Sequence, residues 1–529
     1  MADSHAYDVI VIGAGHNGLT NAAYLAKAGQ RVLVLEQNSL VGGAAITEEL
    51  RPGFQFTTFS YALSLLRPEI IAELDLVRYG FNPLYMRSHF APMDNGDYLL
   101  LGPDDAVNRQ EIARHSKADV DGMERFQHDT SRVRQFLRPL FDSIPPNVFS
   151  KDPQDADQVA WLLNHLGGAD TKVIHDSVRL LTGSIKDFVD DYLESEIIKA
   201  TICSAACVGI KLGPMSPGTG MNWLYLAMGE HDGHSGSWSF HKGGNGGFTQ
   251  VLARAATAYG AEIRLNSAVS HLLTKHGEAR GVVLRDGTEF RAPVVVSSLD
   301  PRRTFLQIAD PRELPSDFVE TIERFRFQGV SSKVNFALDG IPRYPALGDR
   351  TDHLLGFLNF APTVEYMERA YDAAKYGWYS EHPYIDACIQ SFMDPDMAPP
   401  GKHVMSCYVM YTPHELKGST WAEQRENMAD RVQATVNRFF PNFDDLVLQR
   451  EVVTPDIIEE RTGLSEGNIY AGEFFPHQMY FFRPAPGYSD YRTPIEGYYQ
   501  CGSGTHPGGC VIGAPGRFAS QQIIKDTRR

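Results

Sequence analysis

The chain has 529 residues, enough for two or more domains with sizeable cores. Lys and Arg number 49 against 65 Asp and Glu, a net charge of −16, which argues against nucleic acid as a main partner because phosphate binding needs a basic face. Six cysteines in a chain this long exclude a disulfide scaffold, and no uninterrupted apolar run approaches the ~20 residues of a membrane-spanning helix.

Met1 to Ala6 leads directly into the first apolar run and leaves no room for a secretion or transit peptide, so a cytoplasmic location with reduced thiols is expected. Peripheral contact with a membrane stays open, since it needs only an amphipathic patch. Tyr7 to Ile12 is apolar and rich in β-branched residues, the pattern of a buried strand. Gly13-Ala14-Gly15-His16-Asn17-Gly18 follows as a G-x-G-x-x-G turn. Leu19 to Ala28 carries apolar residues at helical spacing with Gly29 as the stop, and Arg31 to Leu35 is a second buried strand ending at Glu36. Strand, turn, helix, strand and terminal acid in this order predict a dinucleotide-binding βαβ unit. Gly13 permits the tight turn, Gly15 lets backbone approach a pyrophosphate, and Gly18 lets the helix pack close on the strand. The helix N-terminus offers free N–H groups to phosphate oxygens. Glu36 is expected to accept ribose hydroxyl hydrogens and to disfavour a 2′-phosphate. Gly42-Gly43 sits just past the second strand, where paired glycines let backbone lie flat against a bulky ligand.

Gly53 to Tyr61 is aromatic and partly alternating, compatible with a pocket wall and equally with a half-buried strand. Tyr98 to Gly102 predicts a strand ending in a turn. Ala106 to Leu226 reads as mostly helical and charged, with one helix pair over Asp119 to Asp142 and another over Val173 to Tyr192, the composition of an inserted cap. Gly243 to Gly247 leads into a helix over Phe248 to Tyr259. Strands follow at Ala261 to Leu265 and Ala268 to Leu273, then a hairpin turning at Asp286-Gly287, then a buried strand at Val294 to Ser298. Helix, hairpin and return strand are expected to complete the sheet begun by residues 7 to 36. Cys203 and Cys207 stand at i, i+4 without the further ligands a zinc site needs, so no metal is expected.

Near the C-terminus, Gly497 to Gly502 is strand-like, and Ser503-Gly504-Thr505-His506-Pro507-Gly508-Gly509-Cys510-Val511-Ile512-Gly513 precedes a terminal helix. Glycine at this density points to backbone approaching a flat ligand. Together with Gly13 to Leu19, Leu25 to Gly29, Ser64 to Glu69, Val295 to Pro301 and Arg483-Pro484, this block resembles the carotenoid-desaturase-like, phytoene dehydrogenase-related branch of the flavin amine oxidase superfamily, over nearly the whole chain. The resemblance implies an α/β fold: a Rossmann-like FAD-binding domain of the glutathione-reductase/amine-oxidase type, with a discontinuous α+β substrate domain and a helical cap. Residues 1–75, 235–305 and 485–529 would bind FAD, and 76–234 and 306–484 would form the substrate and cap domain. By the same resemblance, FAD is held by Gly13, Ala14, Gly15, Asn17, Gly18, Glu36, Gln37, Gly42, Gly43, Ala44, Ala45, Val269, Ser298, Gly504, His506, Gly508, Gly509, Val511 and Ile512. A helix N-terminus after the glycine block is expected to face the flavin. Two departures stand out: Phe518-Ala519-Ser520 replaces the branch's usual Asn-Ala-Ala, and Ser503 stands where related flavoproteins often carry an acid. His506 is the candidate catalytic side chain, either as an acid–base group or as a brace for its loop.

The activity this implies is dehydrogenation, with hydride leaving a lipophilic, isoprenoid or carotenoid-like small molecule for flavin N5 and oxygen or a quinone as final acceptor. Amine oxidation, redox-neutral double-bond isomerisation and a flavin-bound regulatory role without turnover are the alternatives. Residues 37 to 60 contain no cysteine, so dithiol chemistry beside the flavin is not expected. A second G-x-G-x-x-G unit is absent, which leaves a separate NAD(P)H site unsupported. The oligomeric state is left open.

Overall fold

The computed structural model describes residues 6–60, 62–63, 65–150, 153–231, 234–235 and 238–528. The leading residues 1–5 and Tyr61, which closes the aromatic stretch, lie outside them.

Val9–Ile12 is the centre of a five-stranded sheet. It pairs in parallel with Val32–Leu35 on one side and Val294–Ser297 on the other, with Glu262–Arg264 and Tyr498–Gln500 at the edges. Every residue of the three inner strands is buried, as a parallel sheet covered on both faces requires. The helices His16–Lys27, Gly244–Ala258 and Ala514–Thr527 cover one face. Val269–Lys275, Glu278–Leu284 and Glu289–Arg291 form a separate three-stranded sheet over the other. The expectation for the hairpin is thus corrected: it packs Val282 and Leu284 onto Ile10 and Leu33 and does not join the sheet's edge. Its alternating burial gives it one apolar face to lay down, not a continuous buried run.

Two helix expectations also change. Residues 118–141 form one helix, Ala118–Phe141, not a pair, because Phe126, Thr130, Val133 and Leu137 make one unbroken buried stripe and Pro139 falls only in the last turn. The helix expected from Phe248 begins at Gly244, inside the glycine run. A β-carbon on Gly246 would stand 2.3 Å from the Thr47 backbone nitrogen, so here glycine serves close packing of helix against chain.

The second layer is a seven-stranded sheet in the order Val447–Val453, Ser331–Leu338, His403–Met410, Ile385–Cys388, Phe357–Phe360, His89–Pro92, Tyr98–Leu101. Helix Trp421–Phe439 backs it through Trp421, Met428, Val432 and Val436. The cap helices include Glu196–Cys207 and Thr219–Leu226, and both cysteines of the former are buried free thiols. Among the described residues no helix is long and apolar enough to cross a membrane.

Arg483 ties the loop before the C-terminal strand to the rest. Its fully buried guanidinium donates to the carbonyls of Tyr470 (2.8 Å), Ser503 (3.0 Å), Glu473 (3.3 Å) and Gln478 (3.3 Å), beside the rings of Phe325 and Phe474. Burial brings its pKa down to about 10. In the same loop, burial pushes the Glu473 carboxyl up to about 7, against the pull of Arg326 and Lys211. A carboxyl raised above its unfolded value of 4.5 adds stability that is complete below that value and lost as pH rises through about 7. Glu473→Gln is therefore expected to flatten the fall in Tm between about pH 5 and pH 8; calorimetry showing the wild-type slope unchanged would refute it.

Candidate functional site

The three glycines of the first turn differ in what a β-carbon would meet. At Gly13, with φ +91°, it would stand 2.5 Å from Ser298 Oγ. At Gly18 it would stand 2.2 Å from the Gly13 carbonyl oxygen. At Gly15 it would meet nothing within 4 Å, because Gly15 faces an open cavity. Two glycines hold the turn together and the third leaves room for a ligand. The His16–Lys27 helix starts at Gly15 with no side-chain cap, so the N–H groups of its first turn are available to a phosphate. Ser298 closes the turn from behind, its hydroxyl donating to the Ile12 carbonyl at 2.8 Å. Gly43, with φ +59°, brings the next loop against Gly15, and Gly42 N–H donates to the Ala14 carbonyl at 2.8 Å.

From this turn a cavity of about 560 Å³ runs into the interface between the two sheets. Gly13, Gly15, Asn17, Gly18, Glu36, Gln37, Gly42, Gly43, Ala44, Ala45, Val269, Ser298 and Val511 line it. Glu36 sits at the end of the second strand, 4% exposed, and accepts N–H bonds from Ala14 (2.7 Å) and Asn38 (2.9 Å). Burial raises its pKa, and those backbone bonds oppose the rise. His16 Nε2 and Asn17 Oδ1 are buried and without a hydrogen-bond partner on the same wall. The open, uncapped helix start, with the His16 ring nitrogen beside it as a further donor when it carries the proton, fits the pyrophosphate of a dinucleotide.

Six expected cofactor residues do not line this cavity: Ala14, Gly504, His506, Gly508, Gly509 and Ile512. Ala14 contributes its N–H to Glu36, and its side chain lies in the core. The glycines of the C-terminal block make room for protein: a β-carbon would stand 2.2 Å from Pro301 at Gly504, 2.5 Å from Phe474 at Gly508 and 2.3 Å from the Tyr470 backbone at Gly509. His506, 1% exposed, lies between the rings of Phe141 and Tyr480, and burial holds its pKa down at about 3. The cap residue of the terminal helix, Gly513, packs on Ile70 and Thr20. What the block does present is Ser503, Cys510 and Val511. Ser503 Oγ accepts from Asn17 Nδ2 at 3.1 Å, in the position where relatives often place an acid.

Beyond the turn the cavity widens into a chamber walled by Ile202, Val208, Trp223, Leu226, Trp238 and Phe357. Asp386 and Tyr408, cross-strand neighbours on the seven-stranded sheet, face it, as does His89. The sequence reasoning missed all three. For Asp386 a signal existed, a lone acid inside the apolar run Ile385 to Ile389; for His89 and Tyr408 the sequence offered none. Burial lowers the pKa of His16 and of His89 to about 4, so both rings are neutral near pH 7. Among the described residues three carboxylates border the cavity, and two of them serve backbone: Glu36 as above, and Asp300, which accepts from Arg303 N–H (3.0 Å) and Ser465 N–H (2.9 Å).

A dinucleotide-type turn that opens into a chamber between two sheets, in a chain that matches the flavin containing amine oxidoreductases, defines an FAD-dependent oxidoreductase of the amine oxidase superfamily, and FAD is the cofactor. Residues 11–71 match the family described as NAD(P)-binding Rossmann-like domain, and residues 193–524 match that of flavin containing amine oxidoreductases. The chain belongs to the latter family. It is 38% identical to the rat (Rattus norvegicus) pyridine nucleotide-disulfide oxidoreductase domain-containing protein 2, over 99% of this chain and 94% of that protein. It is 26% identical to a limonene dehydrogenase polypeptide of Castellaniella defragrans, over 99% and 96%. Among solved structures, putrescine oxidase bound to putrescine aligns over 99% of both chains with a TM-score of 0.60 at 16% identity, which is a likeness of fold.

The glycine geometry separates folding from binding. Gly15→Ala is expected to leave the Tm of flavin-free protein within about 1 °C while releasing bound flavin on dilution, because its methyl enters ligand space only. An equal loss of Tm in the flavin-free protein would contradict this.

Proposed function

We propose that the protein is a dehydrogenase acting on a lipophilic, isoprenoid-like small molecule. The observation that carries the proposal is the chamber wall: aliphatic and aromatic side chains from cap and sheet enclose the space reached from the βαβ turn. Such a wall binds a hydrocarbon by burial and excludes water from the reacting bond. The relative named as a limonene dehydrogenase supports the same substrate class by analogy.

Bound FAD supplies the two-electron acceptor for hydride. The chain does the rest. The Gly13 to Gly18 turn and the open helix start hold the phosphates, and Ser298 fixes that turn from behind. The aromatic walls orient the substrate's carbon skeleton. Asp386 is the carboxylate on the sheet wall of the chamber, and its oxygen takes the proton lost when the double bond forms. Burial lowers His16 and His89 to about 4, so their neutral rings are weak bases. Oxygen or a quinone then removes the electrons.

Amine oxidation is a second reading favoured by one feature, a carboxylate beside the Tyr408 ring, which together would hold a cationic nitrogen. Anaerobic mixing with a panel of terpenes, polyenes and amines decides between them. Bleaching of the flavin by hydrocarbons is expected; bleaching by amines alone would replace the first reading with the second. Asp386→Asn is expected to slow that bleaching roughly 100-fold or more while the flavin stays bound; an unchanged rate would remove Asp386 from the mechanism.

A further inference from the structure

One charged side chain borders the cavity without a task in the chemistry above. Arg87 is exposed and lies on the rim, beside Gly102 and Pro103, where the chamber meets solvent. Among the described residues no carboxylate forms an ion pair with its guanidinium. That is notable in a chain of net charge −16, where acidic partners are plentiful.

The backbone under Arg87 is rigid. Residues 86–88 run straight into strand His89–Pro92 and are fastened from both sides. Met86 N–H donates to the Trp238 carbonyl (2.9 Å), Arg87 N–H to the Leu355 carbonyl (2.9 Å), and Phe357 N–H to the Ser88 carbonyl (3.0 Å). The Ser88 hydroxyl donates to the His353 carbonyl at 3.2 Å. Gly356 admits this contact because a β-carbon there would stand 1.9 Å from the Ser88 oxygen.

Arg87 and His89 both line the cavity, two residues apart in the chain. His89 Nε2 is buried and has no hydrogen-bond partner. Its ring is neutral, so with the proton on Nε2 it offers one N–H and no second charge. A guanidinium fork at the rim and a single N–H just inside it are the donor set for one anionic group. Inward of them the wall turns apolar at once, with Phe357 packed against the His89 ring at 6.1 Å and Trp238 against Phe357 at 5.3 Å.

We propose that the substrate is an elongated apolar molecule ending in an acid group, a carboxylate or a phosphate, which Arg87 and His89 hold at the mouth while the chain enters the aromatic chamber. This rests on the lipophilic-substrate proposal and narrows it.

The test uses flavin-loaded protein and parinaric acid, a conjugated polyene fatty acid whose fluorescence reports binding without turnover, beside its methyl ester. Arg87→Glu is expected to weaken the acid about tenfold to a hundredfold and leave the ester unchanged, while Arg87→Lys keeps part of the preference. Dodecyl phosphate is expected to displace the acid from wild type and not from Arg87→Glu, and its strength against laurate tells phosphate from carboxylate. Equal binding of acid and ester by both proteins would overturn the anion subsite alone. Failure of both probes to bind would overturn the lipophilic substrate with it.

Discussion

Two buried amides on the first helix carry the architecture. Asn17 donates to Ser503 Oγ and Asn21 to the Gly516 carbonyl (3.0 Å), across 486 and 495 positions of sequence. Gly516 makes the approach feasible, since a β-carbon there would stand 2.2 Å from the Asn17 carbonyl oxygen. Each amide is buried, so losing its partner would cost about 1–3 kcal/mol. The cofactor trough therefore exists only when the two ends of the chain have met. Ser503 passes the constraint on, because its carbonyl is one of the acceptors pinned by Arg483. Wall, loop and terminal helix are fixed together.

The βαβ unit was legible because each of its parts is local: an apolar run, a turn with glycine at three set positions, a helical period and a terminal acid. The structure keeps all of them, with close neighbours at Gly13 and Gly18 and open space at Gly15. The C-terminal block was legible as a place and not as a contact list. Glycine density says that something approaches the backbone closely, and it does not say what. At Gly504, Gly508 and Gly509 the approaching group is Pro301, Phe474 and Tyr470, each from a distant segment. The same limit explains His506, whose flavin-block position suggested exposure to substrate and whose neighbours Phe141 and Tyr480 come from the cap and the preceding loop. The hairpin at Asp286-Gly287 shows the limit for strands: a turn signal fixes two strands against each other and leaves open which sheet they belong to.

The chamber was the least legible part, since its residues come from the cap helices, the His89 strand and the middle of the second sheet. Its electrostatics follow from burial once those pieces meet. Desolvation strips the charge from His16 and His89, and backbone N–H groups engage Glu36 and Asp300. The cavity is also lined by the Asp386 carboxylate on the sheet and, where it is exposed, by the Arg87 guanidinium.

That polarity matters more than the overall charge of the chain. A net charge of −16 would repel an acidic ligand at long range, yet the screening length at physiological ionic strength is about 8 Å. Within that distance of the mouth the nearest fixed groups matter most, and among the described residues Arg87 is the cation that lines the cavity. An amphiphile entering acid-last would keep its charge at the rim, away from Asp386, and deliver its apolar end toward the flavin side of the cavity. On the proposal that Arg87 holds the acid group, the apolar end of the substrate enters first, and the hydrocarbon walls need only fit it.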